Sequence, residues 1–432
     1  MTDTKLSTGS APSPAGAHAK PGAVRRSYRT PIVLAAFAVA GILLFGPFGR
    51  EGVSTLALST RSDAIQLTPL GLPTLATGYV IAVLLVVIAV VAFLRARSGT
   101  RVPLWLSALF AFLLLLGFLV WASADANLPV PGLLAGALAL SVPLIFGALG
   151  GVISERVGVV NVAIEGQLLA GAFCSALVAS ITGNPFVGLI AAMVAGVLVS
   201  FVLAAFSIKY LVDQVIVGVV LNVLVSGLTG FLFSVLLSPN SAALNSPPRF
   251  ANITIPVLSD IPIIGYVLFR QTFIVYLMYI AVIAVYIALF HTRWGLRLRA
   301  VGEHPQAADT VGIKVAATRF WNVSIAGAIA GLGGAFFTLG SVGAFGKEMT
   351  AGAGFIALAA VIFGRWDPIR ATLAALLFGF ASSLQGVLNI IGSPVPSEFL
   401  LMLPYLVTIL AVAGFAGKVR GPAAAGKPYI KS

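Results

Sequence analysis

Three hydrogen-bonding side chains interrupt an apolar run at residues 154–172, which read SERVGVVNVAIEGQLLAGA: Asn161, Glu165 and Gln167. A charged side chain near the centre of a bilayer costs about 2.5–3.5 kcal/mol on insertion scales. An acid at such a position therefore indicates a function or a specific partner. Because Asn161 and Glu165 are four residues apart, the spacing predicts that they share one face of a helix.

Two interpretations of this run stay open. In the first, Asn161, Glu165 and Gln167 belong to the polar lining or gate of a solute pathway at a broken helix. In the second, Glu165 pairs with Arg156 or caps a neighbouring helix and only holds the bundle together. Gln167 is assigned either to the pathway or to a cap on an adjacent element.

A second stretch has a similar character. Residues 346–364, GKEMTAGAGFIALAAVIFG, again place glycine, an acid and small residues before an apolar run. The predicted topology makes this run point across the membrane in the opposite direction to the first one. Opposed runs of this kind are typical of an inverted repeat with a site between its halves.

The composition indicates the elements that position these residues. Of 432 residues, 59% are hydrophobic and 9% are charged, and the mean hydropathy is +1.05. Because lipid cannot satisfy open strand edges, we predict an all-α polytopic membrane bundle of about 10–12 transmembrane helices. Twelve candidate spans lie near 31–49, 75–94, 103–122, 132–153, 159–182, 186–207, 214–237, 272–291, 319–341, 352–364, 369–391 and 399–416. The span at 352–364 is short enough to be re-entrant.

Basic residues predict the orientation, because cytoplasmic loops carry the positive excess. With the N-terminus inside, only five of the 26 Lys and Arg residues fall outside: Arg50, Arg61, Arg249, Arg270 and Lys347. Both termini are therefore predicted to be cytoplasmic, with a disordered basic tail at 1–30 and a second tail at 418–432. The net charge of +13 reflects these basic loops and does not indicate a nucleic-acid partner.

The sequence lacks the residue sets of a metal site, a catalytic nucleophile and a phosphate-binding loop. Cys174 is the single cysteine, and His18, His291 and His304 are scattered, so neither a metal site nor a nucleophile set is predicted. The run GSVGAFGK at 340–347 lacks the spacing and the Ser or Thr of a phosphate-binding loop. We therefore predict no enzyme activity and no cofactor in this chain, and any ATP hydrolysis would have to come from another chain.

The inner loop at 292–318 is the place to look for a soluble partner. Its sequence GLRLRAVGEHPQAADTVGI, at 295–313, predicts a short amphipathic helix carrying Arg297 and Arg299. Such a helix is suited to docking a soluble subunit. The alternative is an ordinary basic loop that only sets the orientation.

The two runs quoted from 154–172 and 295–313, together with TAGAGFIALAAVIFGRWDP at 350–368, resemble the permease subunits of bacterial nucleoside ABC importers. The wider permease family also handles ribose, galactosides and branched-chain amino acids. The resemblance covers about 132–417, which is the expected permease core. It leaves the extra N-terminal helices at 31–131 unassigned.

The resemblance implies a half-channel with several partners: a second permease subunit, a cytoplasmic ABC ATPase that holds ATP and Mg, and an extracytoplasmic lipid-anchored binding protein, all within membrane lipid. It also implies an ATPase coupling loop at 303–313 that includes Glu303 and follows a Glu-Ala-Ala-x-x-x-Gly pattern. The matching positions are Gln306, Ala307, Ala308 and Gly312, with Gln306 replacing the glutamate.

The expected function is thus the permease subunit of an ATP-driven nucleoside importer in the bacterial plasma membrane. Two alternatives remain at this point. The first is an ABC permease for a sugar or another small polar solute. The second is a proton-coupled secondary transporter, in which Glu165 would be a proton site and the loop at 303–313 would have no ATPase to contact.

Overall fold

The computed structural model describes residues 28–63, 65–396, 398–400, 402 and 421–430. The predicted tail at 1–30 and the predicted span at 399–416 lie largely outside these residues, as does part of the tail at 418–432. The chain divides into two compact units, Met1–Ser54 with Leu72–Asp125, and Thr55–Gly71 with Ala126–Ser432.

The smaller unit is a bundle of three apolar helices, α1 (Arg29–Phe45), α2 (Thr74–Arg97) and α3 (Leu104–Ala122). Phe45, Leu85 and Phe110 are buried in its core. Many of the other large side chains on α2 and α3 are apolar and exposed. An exposed apolar surface of this extent suits contact with lipid or with another protein rather than with water.

Five short strands form two small sheets in the described part of the chain. β1 (Val53–Ala57) pairs in parallel with β3 (Asn127–Pro129), with Thr55 opposite Asn127, and β2 (Leu70–Pro73) lies on the other side of β1. β4 (Asn252–Thr254) and β5 (Arg270–Thr272) form an antiparallel pair.

The larger unit contains the remaining helices. They are α4 (Val130–Arg156), α5 (Ile164–Thr182), α6 (Pro185–Ala204), α7 (Gln214–Leu232), α8 (Ser241–Leu244), α9 (Ile264–Leu268), α10 (Phe273–His291), α11 (Arg293–Glu303), α12 (Pro305–Thr310), α13 (Val315–Ala335), α14 (Ala353–Phe363) and α15 (Pro368–Ile390). Turns of π-helix extend three of them, α6 to Lys209, α7 to Leu237 and α13 to Ser341.

Local sequence signals fix where several of these helices begin. The side chain of Asn184 accepts a hydrogen bond from the backbone N–H of Phe186 before α6. Asp213 and Asp367 cap α7 and α15 in the same way. These side chains satisfy backbone N–H groups that have no partner inside the helix.

Small residues let α4, α5, α6 and α13 approach one another closely. A Cβ added at Gly196 of α6 would overlap the carbonyl oxygen of Gly327 in α13, and one at Gly171 of α5 would overlap that of Gly331. On the other side of α13, a Cβ at Gly150 of α4 would lie 2.6 Å from the Ala326 oxygen. Backbone packing of this kind is how helices associate in lipid.

The predicted all-α membrane bundle is confirmed. Within the part of the chain that the structure describes, nine helices are long and apolar enough to cross a membrane, and α1 and α14 are shorter apolar helices. Eleven of the twelve predicted spans thus correspond to an observed helix. With 11 residues, α14 is about 16 Å long, roughly half the thickness of the hydrocarbon core, so it is too short to cross the core by itself, and its re-entrant character stays a prediction.

We predict that Gly327→Ala destabilises the larger unit, because its methyl group would overlap Ser200 Oγ and the Gly196 oxygen. Overpacking a close contact typically costs about 1–3 kcal/mol. The matched control is Gly386→Ala in α15, where a Cβ meets nothing within 4 Å. Thermal melting of the detergent-solubilised chain, followed by size-exclusion chromatography, should show a lower midpoint for Gly327→Ala only. Equal midpoints for the two variants would contradict this account of the packing.

Candidate functional site

Glu165 lies in the first turn of α5, and its carboxylate caps a different helix, α14. Oε1 accepts hydrogen bonds from the Thr350 hydroxyl at 2.6 Å and from the backbone N–H of Gly352 at 2.9 Å. Oε2 accepts one from the backbone N–H of Gly354 at 2.6 Å. Hydrogen bonds to charged groups contribute about 1.5–3 kcal/mol each, so three of them offset the roughly 2.5–3.5 kcal/mol cost of the intramembrane charge.

The structure distinguishes between the two partners predicted for Glu165, which are Arg156 and the end of a neighbouring helix. Arg156 does not pair with it, since the Arg156 Nε instead donates to the carbonyl of Trp366 at 2.9 Å. The contact that the structure contains is the cap on a neighbouring helix. It needs glycine at position 354, because a Cβ there would overlap the backbone nitrogen of Glu165.

The junction between α5 and α14 lies at mid-depth in the larger unit. Gly147 of α4 packs against Ala357 of α14, and Gly151 packs against Val361, so these two helices run in parallel. The same register places the start of α14 level with Pro143, the midpoint of α4. Both helix N-termini at the junction carry a partial positive charge that favours a carboxylate between them.

α5 and α14 run in opposite directions from this junction. Ser175 of α5 bonds Thr338 at the end of α13, and Gly171 contacts Gly331, so α5 runs parallel to α13. α13 is antiparallel to α4, whereas α14 is parallel to it. The predicted opposition of the two runs is therefore confirmed, and the inverted repeat itself stays a prediction.

Asn161 is not on the helix that carries Glu165, so the predicted shared face is wrong. α5 begins at Ile164, and residues 159–163 form no helix. Side chains of α7 hold this segment: Gln214 Oε1 accepts from the Val160 N–H, while Asn222 donates to the Val162 carbonyl and accepts from the Gly166 N–H. These bonds replace the ones that helix formation would have supplied.

Asn161 and Gln167 meet in a buried network. Asn161 Nδ2 donates to Gln167 Oε1 at 3.0 Å, and Gln167 Nε2 donates to Ser200 Oγ of α6 at 2.9 Å. All three side chains are fully buried, whereas Glu165 is half-buried. In this conformation, Glu165 is the member of the predicted set that reaches a surface.

Residues 342–352 return from the end of α13 to the junction. Their backbone is left-handed at four positions, Gly343, Glu348, Ala351 and Gly352. Glu348 Oε1 accepts a hydrogen bond at 3.0 Å from Ser226 Oγ, at the middle of α7. The orientation count placed Lys347 in an outer loop, but this contact places its neighbour Glu348 level with the centre of a span.

The predicted coupling loop is a two-helix segment at the Arg156 end of α4. α11 and α12 are separated only by His304. Four of the predicted residues are exposed and Ala308 is buried; the exposed ones are Glu303, Gln306, Ala307 and Gly312. The left-handed backbone at Gly312, with φ of 84°, ends the segment. The predicted short amphipathic helix corresponds to α11.

The C-terminal segment 421–430 lies across this coupling segment. The Ala424 N–H donates to the Gly302 carbonyl at 2.9 Å, and Arg319 Nη1 donates to the Lys427 carbonyl at 3.0 Å. A cavity of about 550 Å³ separates the C-terminal segment from α12. Loss of water contact, followed by a hydrogen bond to the nearby Asp309, raises the pKa of the Tyr429 hydroxyl.

Gly302, at the end of α11, also touches the start of the non-helical segment. A Cβ at Gly302 would overlap the Arg156 carbonyl oxygen and lie 3.3 Å from the Gly158 nitrogen. The backbone of the coupling segment thus packs directly on the backbone that leads towards Glu165.

Sequence reasoning missed the residues that hold the junction together. Gln214, Asn222 and Thr350 each bond the backbone or side chain of the 160–166 region. The polar residues Gln214 and Asn222 lie eight apart in an apolar span, which was an available signal. Among the described residues, no three His, Cys, Asp or Glu side chains form a group that could hold a metal ion.

Comparisons with known proteins fit this geometry. The guanosine ABC transporter permease protein NupQ of Bacillus subtilis is 43% identical over 303 residues, 68% of this chain and 95% of that protein. The nucleoside ABC transporter permease protein NupC of Lactococcus lactis is 41% identical over 309 residues, covering 69% and 97%. The putative glucose ABC transporter permease protein TsgC13 of Haloferax volcanii is 34% identical over 307 residues, covering 66% and 91%. No solved structure matches the chain significantly.

A family model described as "Branched-chain amino acid transport system / permease component" matches residues 133–412. That range contains Glu165, its cap on α14 and the coupling segment. Together with the nine apolar helices of the described residues, the comparisons make this a multi-pass protein of the plasma membrane. The chain belongs to the family of branched-chain amino acid transport system permease components.

Proposed function

We propose that this chain is the permease subunit of an ATP-driven ABC importer for nucleosides and forms half of the solute pathway. The observation that carries the proposal is the junction at Glu165, where two interrupted helices of opposite direction meet at mid-depth. Transporters bind cargo at such junctions because the broken helices leave polar backbone groups near the bilayer midplane. The cargo class rests on the relatives named for guanosine and nucleosides.

The same relatives support an ATPase and a second permease as partners, and the binding protein is part of the proposal. We assign ATP and Mg to a cytoplasmic ABC ATPase and the delivery of cargo to an extracytoplasmic binding protein. The second permease is expected to be a different chain, because Bacillus subtilis and Lactococcus lactis each have a second relative, NupP at 28% and NupB at 25% identity. The exposed positions 303, 306, 307 and 312 are then available to contact the ATPase.

In this proposal, transport follows alternating access. ATP binding closes the ATPase pair, the coupling segment moves with it, and the backbone contact at Gly302 passes the displacement to Arg156 and residues 157–163. Glu165 is a positioning residue that fixes α14 to α5 in one state. The buried Asn161 and Gln167 would reach the cargo only in another state.

A sugar importer is the second candidate, because one relative is named as a putative glucose permease. A proton-coupled carrier is the third, with Glu165 as its proton site. The reconstitution experiment below separates these three functions.

The complex, reconstituted with its ATPase, second permease and binding protein, should import labelled guanosine only with ATP and Mg. This chain alone should give no flux, because the pathway requires the partner permease and the ATPase supplies the energy. Liposome uptake of guanosine and glucose, with and without a pH gradient, makes the comparison. Flux through the isolated chain that follows the pH gradient would establish the carrier, and ATP-driven uptake of glucose alone would establish the sugar importer.

Glu165→Ala should lower the guanosine uptake rate by at least tenfold while the complex stays assembled. The variant leaves the N–H groups of Gly352 and Gly354 without their acceptor, and losing one charged hydrogen bond of about 1.5–3 kcal/mol already corresponds to roughly tenfold or more. The uptake rate of Glu165→Gln should lie between those of the wild type and Glu165→Ala, because the glutamine amide keeps one acceptor oxygen.

The control for Glu165 is Ser180→Ala near the far end of α5, where the hydroxyl bonds only the Ala176 carbonyl. Size-exclusion chromatography of the complex and basal ATPase activity accompany the uptake assay. Normal uptake by Glu165→Ala, or a complex that falls apart, would leave Glu165 a purely structural cap.

Ala307→Trp should prevent the ATPase from co-purifying, because the exposed methyl group of Ala307 lies on the outer surface of α12 and a bulky ring would block a docked partner. Ala317→Trp, exposed at the start of α13, is the matched control. Pull-down of the tagged complex from detergent provides the measurement. Equal ATPase recovery with both variants would place the docking surface elsewhere.

A further inference from the structure

Two neighbouring charged side chains are exposed beside α7, Glu348 at the middle of the extended helix and Lys347 nearer to its end. Glu348 bonds Ser226, which lies 12 residues after Gln214 at the centre of the extended α7. Lys347 is the preceding residue, and its Nζ lies 5.9 Å from the ring centroid of Phe233, which follows Ser226 by seven residues on the extended α7. Both charged residues are exposed in the described part of the chain.

This position is incompatible with contact to lipid. A charged side chain at the bilayer midplane faces the protein interior or a water-filled cavity, because hydrocarbon cannot solvate it. Four left-handed backbone positions between 343 and 352 hold the turn in place at this depth. Irregular backbone at membrane depth is itself found only where it is buried in protein or lines a watery cavity.

The surface beside the turn is open and lined by small residues. A Cβ added at Gly227, Gly230 or Gly346 would meet no atom within 4 Å. Gly227 and Gly230 lie on α7 next to Ser226. This surface leaves room for a solute or for water, and it adjoins the Glu165 cap through Thr350, two residues beyond Glu348.

We propose that Lys347, Glu348 and Ser226 form a polar contact site for neutral, hydroxyl-rich cargo on the wall of the solute pathway. We name these three residues the turn site. It rests on the proposed function and identifies where the nucleoside touches this chain. Lys347 supplies hydrogen-bond donors, Glu348 acceptors and Ser226 both, which matches ribose hydroxyls and base edges. The opposite charges of Lys347 and Glu348 leave the site without net charge, which suits uncharged cargo.

Cysteine accessibility tests the turn site in the assembled complex. Cys174 is the single native cysteine, so a Cys174→Ser background gives a chain without reactive thiols. Glu348→Cys and Ser226→Cys are compared with Leu224→Cys, which lies at the same depth on the opposite face of α7 and is 57% exposed. The reagent is a charged, membrane-impermeant methanethiosulfonate.

The two turn-site cysteines should react about tenfold faster or more than Leu224→Cys, because only a thiol in contact with water ionises to the reactive thiolate. Saturating guanosine should slow both reactions. Equal, slow reaction at all three positions would overturn the pathway location and would mean that another subunit covers this face.

The cargo is tested separately in the same preparations. Fast labelling that guanosine does not slow, in a complex that imports guanosine, would overturn the contact with cargo. Fast labelling in a complex that imports no guanosine would refute the proposed nucleoside function and leave the turn site on the pathway of another solute.

Discussion

The architecture of the larger unit depends on one carboxylate that satisfies the end of a neighbouring helix. Without an acceptor for the N–H groups of Gly352 and Gly354, a helix could not begin in the middle of the membrane. Glu165 supplies that acceptor, and its own charge is stabilised by the same bonds. The carboxylate and the backbone N–H groups thus stabilise each other in a bilayer core that supplies neither water nor counterions.

The contact also requires that the bundle around it be rigid and closely packed. Three donors reach Glu165 only because α14 lies against α4 and α5 with almost no side chain between them, as at Gly147 and Gly354. Close backbone contacts at Gly327 and Gly331 likewise join α13 to α5 and α6. Glycine in these helices therefore sets distances between backbones, and the intramembrane polar contacts rely on those distances.

The sequence predicted the helices well and their interruptions poorly. Hydropathy located eleven of the spans because lipid demands long apolar helices, and the length of the 352–364 run already indicated a half-helix. Helical spacing failed at Asn161, because Gln214 and Asn222, more than fifty residues away, bond the backbone of its segment. Residue spacing predicts a shared helix face only where a helix forms. Here, long-range side-chain hydrogen bonds hold residues 160–162 outside the helix.

The candidate site was located by charge rather than by pattern. Glu165 stood out because it is costly in an apolar run, and its partner stretch at 346–364 stood out for the same small and polar character. The bonds between the two could not be foreseen, since Thr350 carries no charge and the other two donors are backbone groups. Counting charges places Lys347 and its neighbour Glu348 in an outer loop, because such a count cannot detect a chain that turns back into the membrane.

The direct backbone contact at Gly302 has a mechanical consequence. A joint between two main chains without intervening side chains has little slack, so a displacement at α11 cannot be absorbed by a change of rotamer. Only six residues, 159–164, then separate that joint from Glu165. A short stretch of backbone therefore links the coupling segment to the Glu165 junction, and the movement that reaches Glu165 depends on how far Gly302 can slide over the Arg156 carbonyl.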